Sequence, residues 1–162
     1  MDRWRGRRTA GLALLTLLLL TASSAAAAIR PARIVVIVDA HAVASLPLPA
    51  DGHVALRYRN SVYRSIAEER FVADGGMLRL VELAADELAV LDEYYSATHI
   101  AADGDGRTFR GSPAYPLAVP SLTIAATDLG ERTLIVGDAE LALWRLVDDA
   151  APSVTLRVES GP

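Results

Sequence analysis

Residues Leu122–Val158 read LTIAATDLGERTLIVGDAELALWRLVDDAAPSVTLRV, and this stretch decides the fold. Four apolar runs stand in it, Leu122 to Thr127, Arg132 to Val136, Leu141 to Val147 and Val154 to Val158. Asp128-Leu129-Gly130, Gly137-Asp138 and a turn at Pro152 separate them. In the last run Val154, Leu156 and Val158 share one face and Thr155 and Arg157 the other, the period-two pattern of a half-buried strand. Short strands punctuated by turn residues every 8–12 positions or so build an antiparallel sandwich or barrel. The expected class is therefore all-β, a small antiparallel β-sandwich or partly open barrel.

Upstream, Ile34 to Val38 (IVVIV) is β-branched throughout and reads as a buried strand. His41 to Asp51 contains Pro47 and Pro49 and is expected to be an extended connection. In His53 to Asn60 (HVALRYRN) Val54, Leu56 and Tyr58 alternate with Arg57 and Arg59, which predicts a half-buried strand. Ser65 to Ala73 has two readings. Ser65 and Glu68 fit a helix capping box, whereas Asp74-Gly75-Gly76 before the apolar Met77 to Leu83 signals a hairpin. The hairpin requires a strand on each side, so Ile66 to Ala73 is assigned as strand. Leu83 to Tyr95 combines helix formers in AADELAV with a flanking pattern that suits a strand from Leu88 to Tyr95. Ser96 to Pro116 is rich in Gly, Asp, Ser and Pro and reads as one long loop.

The first 28 residues carry four arginines against one acid, then an apolar run from Ala10 to Ala22, then a small-residue exit ending in four alanines. That order is an export signal, expected as a helix preceding the β domain. Its apolar middle is shorter than the roughly 20 residues that span a bilayer. An uncleaved membrane anchor is the alternative. Residues 29–162 would then form a single periplasmic or extracytoplasmic domain of 134 residues, long enough to bury roughly two-thirds of its unfolded surface.

Removing the leader's four arginines and one aspartate from totals of 16 basic and 20 acidic residues leaves 12 and 19, a net charge of −7. Such a surface suits neither nucleic acid nor anionic lipid. Zero cysteines exclude thiol catalysis, thiolate metal sites and disulfide staples. His41, His53 and His99 are far apart with no H-x-x-H spacing, so no zinc site is expected. Asp103-Gly104-Asp105-Gly106 lacks the ligands that a calcium loop needs at its first and twelfth positions, where Ala101 and Ser112 stand. No nucleophile elbow, phosphate loop or dinucleotide fingerprint is present in the sequence. The expectation is a protein that is not an enzyme and carries no cofactor.

Two polar clusters remain. Arg57, Arg59, Asn60, Ser61 and Arg64, with Glu68 and Glu69 following, could form a forked carboxylate receptor around an inward-pointing amide. The ordinary reading is a solvated strand face whose arginines pair across the hairpin with Glu68 or Glu69. Asp92-Glu93-Tyr94-Tyr95 with His99 is the second cluster. Adjacent carboxylates in a strand face opposite ways, so tyrosines at the core margin beside a loop histidine are the simpler reading.

The stretch from Val54 to Phe71, VALRYRNSVYRSIAEERF, resembles a bacterial and archaeal family, domain of unknown function family 1850. Ser61-Val62, an acid at Glu68 or Glu69, and Phe71 carry the likeness, extended by Gly76 to Glu82 and by Leu134 to Leu146. It covers about His53 to Val158. Asn60 stands where the family usually has His, which removes a titratable group, and Asp92 to Ala97 replaces its Gly-Ala-Gly stretch. The resemblance implies an accessory role beside tripartite ATP-independent periplasmic (TRAP) transporters. Three functions compete. The first is a partner-binding module for TRAP-type transporter components, docking by an apolar patch or free sheet edge. The second is a binder of a small carboxylate, and the third a hydrolase using Glu68, Glu69 or His99.

Overall fold

The computed structural model describes residues 31–104, 106, 108–148 and 150–160. The signal peptide expected over residues 1–28 lies outside them. In chain order the strands are β1 (Arg33–Val38), β2 (His41–Pro47), β3 (His53–Arg59), β4 (Ile66–Asp74), β5 (Met77–Ala85), β6 (Thr98–Ala102), β7 (Phe109–Ser112), β8 (Ala118–Val119), β9 (Ser121–Ala125), β10 (Thr133–Val136), β11 (Ala139–Ala142) and β12 (Ser153–Glu159). Every pairing among them is antiparallel. One sheet runs β2-β1-β12-β9, and the other runs β11-β10-β3-β4-β5-β7-β6 with β8 added beside β5. Both sheets keep free edges, so the architecture is an open sandwich and not a closed barrel.

The alternation read from the sequence builds the interface between the sheets. Ile34, Val36, Val154, Leu156 and Val158 from the smaller sheet meet Val54, Leu56, Phe71, Leu78, Leu134 and Val136 from the larger in one buried cluster. Burying each such side chain fully is worth about 1.5–3 kcal/mol. In a chain without cysteines this apolar layer supplies the stabilisation. Tyr58 continues the inward phase of β3 past Leu56 and enters a second cluster with Ala67, Leu83, Ala85, Val90 and Leu91. That cluster lies at the end of the large sheet where the functional candidate sits.

Four segments differ from expectation. His41–Pro47 is a strand hydrogen-bonded to β1, not only a connection. The turn before it holds Asp39 at φ 49° and Ala40 at φ 64°, a left-handed hairpin turn whose second residue is an unusual alanine. Leu88–Tyr95 is not a strand. Val90–Tyr94 forms a π-helical turn closed by Tyr95 N–H donating to Val90 O at 3.2 Å. The adjacent Val90 and Leu91 are both fully buried, which strand alternation does not allow and a helical turn does. The long loop is instead the edge hairpin β6–β7, with Asp103 N–H donating to Thr108 O at 2.7 Å. Edge strands solvated on both faces lack the apolar period that reveals a strand. Finally, Leu141–Val147 is divided between β11 and a 3-10 turn over Leu143–Arg145, whose Leu143 plugs the main core. The Ile66–Ala73 assignment and the Asp74-Gly75-Gly76 turn agree with the structure, both glycines adopting positive φ.

Candidate functional site

Tyr58 is the last inward residue of β3, and Arg132 lies one step beyond the register pair Arg57–Thr133. Antiparallel pairing therefore sets the two side by side, with the Arg132 guanidinium carbon 4.7 Å from the centre of the Tyr58 ring. Tyr95, just after the helical turn, reaches the same spot. Its hydroxyl donates to Glu69 Oε1 at 2.6 Å. That proton is spent, so the 2.5 Å contact between the two phenols is Tyr58 donating to Tyr95. Glu69 Oε2 lies 3.9 Å from Arg132 Nη1, beyond hydrogen-bond length. Nη1 is buried and has no hydrogen-bond partner among the described residues.

Burial raises both phenols. Tyr58 is pushed up to about 12 by desolvation, its bond to Tyr95 working in the opposite direction. Tyr95 is raised further, by desolvation first and then by the Glu69 charge. Both are therefore neutral donors at physiological pH, and neither is poised to act as a base.

A cavity of about 160 Å³ opens beside this network, lined by Tyr58, Arg59, Asn60, Ser61, Tyr94 and Arg132, with Ala125, Thr127, Leu129 and Gly130 completing it. Asn60 shapes one wall. It is buried, and its Oδ1 accepts Val62 N–H at 3.0 Å and Tyr63 N–H at 3.1 Å. Its own N–H donates to Ser65 O at 2.8 Å, and its carbonyl accepts Arg64 N–H at 2.7 Å. The Nδ2 amide makes no hydrogen bond among the described residues. Tyr63 then ties this turn to the helical turn by donating to Glu93 at 2.8 Å, which raises the Tyr63 pKa.

Of the residues singled out in the sequence, Arg59, Asn60, Ser61 and Tyr94 line this cavity and Tyr95 stands behind it. The others lie elsewhere. Arg57 pairs with Glu140 at 2.6 Å and Arg59 with Glu131 at 3.1 Å, so neither takes Glu68 or Glu69 across the hairpin. Arg64 is exposed at φ 56°. Glu68 holds Arg70, which also meets Glu82, in a charge ladder on the outer face. Arg110 continues it to Asp103 at 2.8 Å. His99 is exposed on β6 at φ 52°. Glu68, Glu69 and His99 thus serve three separate surroundings. No group of three or more His, Asp or Glu suited to a metal occurs among the described residues.

Sequence reasoning missed Tyr58, Thr127, Leu129 and Arg132 as site residues. Arg132 read as the polar start of a strand, and only the β3–β10 register brings it to Tyr58. No family model, no curated protein and no solved structure matches the chain.

Proposed function

We propose that this protein is a non-enzymatic binding module that holds a small carboxylate against Arg132. The observation that carries the reading is the half-buried guanidinium itself, stacked on Tyr58 and lining a cavity, with Glu69 3.9 Å away as its charge partner. A planar carboxylate supplies two acceptors in the geometry that a guanidinium fork matches. The Asn60 amide is a further donor in the same wall, and Arg59 adds positive potential at the rim. The tyrosines hold protons too firmly for base chemistry, which favours binding over turnover. The expected export signal and the resemblance to family 1850 add a setting, an exported accessory to TRAP-type solute uptake.

Arg132→Met tests this, because it keeps an unbranched stem against Tyr58 and removes the fork. Acetate and succinate should raise the thermal midpoint of the native chain, a ligand at 100 times its Kd adding about 2.7 kcal/mol. The shift should vanish in the variant. A native chain indifferent to both acids, or a variant that responds equally, overturns the reading.

A further inference from the structure

We infer that the ligand is a monocarboxylate with an apolar, preferably aromatic, body; this rests on the carboxylate reading of the Arg132 cavity. Two features of the cavity select that class, and the first is charge. Its two cations already face two anions, Glu69 at 3.9 Å from Arg132 and Glu131 at 3.1 Å from Arg59. One carboxylate can be held against the Arg132 side chain where it lines the cavity. The second charge of a dicarboxylate or a phosphate would meet Glu69 or Glu131 with no further cation lining the cavity, and like charges at that range repel.

The second feature is the mouth. Two of the lining residues are large and outward-facing, Tyr94 at 56% and Leu129 at 65% exposure. Placed together at one charged pocket, the two offer an apolar contact for a ligand body. Tyr94 is held for the purpose: its ring packs edge-on against Tyr95, with centroids 5.0 Å apart, and the preceding Glu93 is anchored by Tyr63. At about 160 Å³ the cavity is smaller than the roughly 300 Å³ at which ordinary ligand pockets begin. It takes a carboxylate and a few carbons, so a larger apolar body must lie across Tyr94 and Leu129.

Calorimetric titration of the full chain with acetate, succinate, inorganic phosphate, hydrocinnamate and the alcohol corresponding to hydrocinnamate tests the assignment. Hydrocinnamate should bind at least about tenfold more tightly than acetate, a difference of 1.4 kcal/mol. Succinate and phosphate should not exceed acetate, and the alcohol should bind more weakly than the acid. Leu129→Ser, an exposed turn substitution, should weaken hydrocinnamate several-fold more than it weakens acetate. Succinate or phosphate binding more tightly than hydrocinnamate overturns this inference and leaves the carboxylate site standing. An alcohol that matches the acid, or no binding by any anion, overturns both.

Discussion

Asn60 shows how one side chain can organise a functional wall. Its carboxamide oxygen takes two backbone N–H groups of the turn that follows β3, and the side chain that supplies it is only 3% exposed. Asn60→Ala should therefore destabilise the protein by about 1–3 kcal/mol in chemical denaturation. Asn60→Asp, which keeps the acceptor, should cost less than the alanine variant. An alanine variant as stable as the parent would show that the turn holds without the amide. The inward phase of Asn60 was legible in the sequence, because Val54, Leu56 and Tyr58 establish the alternation that carries it inside. The role of Arg132 was not. An arginine at a strand start has the same appearance whether it meets solvent or a tyrosine, and the β3–β10 register that decides between them is a long-range fact.

Elements behave likewise: strands buried on one face announced themselves, and edge elements did not. β3, β4, β5 and β12 carry either strict alternation or a two-glycine turn, and all four stand where those signals put them. β2, β6 and β7 lie at or near sheet margins, where neither face is consistently apolar, so composition suggested connection and loop. The link between β2 and β3 exposes a constraint invisible in sequence. Gly52 adopts φ +68°, its N–H donates to Pro49 O at 2.9 Å, and its carbonyl accepts Ala73 N–H at 2.8 Å from β4. A Cβ there would stand 2.4 Å from Ala73 O, whereas at Gly137, also left-handed at φ +57°, a Cβ would meet nothing within 4 Å. Left-handed backbone alone costs a non-glycine residue about 1–2 kcal/mol. Gly137→Ala should show about that loss in thermal unfolding. Gly52→Ala should lose clearly more, since the backbone of β4 must also move. Equal losses at the two sites would mean that the contact with β4 is slack.

At the scale of the whole molecule, stability is divided between a large apolar layer joining the sheets and a smaller cluster in which Tyr58 is buried close to Tyr95. The composition makes the second region accessible to experiment. The chain has no lysine and no cysteine, so neither residue type titrates alongside the tyrosines above pH 10. Burial raises Tyr58 from 10.0 to about 12, and Tyr95 is raised as well. Below pH 10 both phenols are protonated in folded and unfolded chains alike, and their contribution is complete. Between pH 10 and 12 the unfolded chain gives up protons that the folded one retains, so it binds fewer and the free energy of unfolding falls as pH rises. Each retained proton gives a slope of about 1.4 kcal/mol per pH unit. Denaturation midpoints should accordingly decline across this window, and Tyr58→Phe should make the decline shallower by removing one of the retained protons. Tyrosinate absorbance should show Tyr58 and Tyr95 ionising only as the fold is lost. If Tyr58 and Tyr95 ionised near pH 10 in a chain still folded by circular dichroism, the phenols behind the Arg132 cavity would be open to water. The dry wall on which the carboxylate site depends would then be absent.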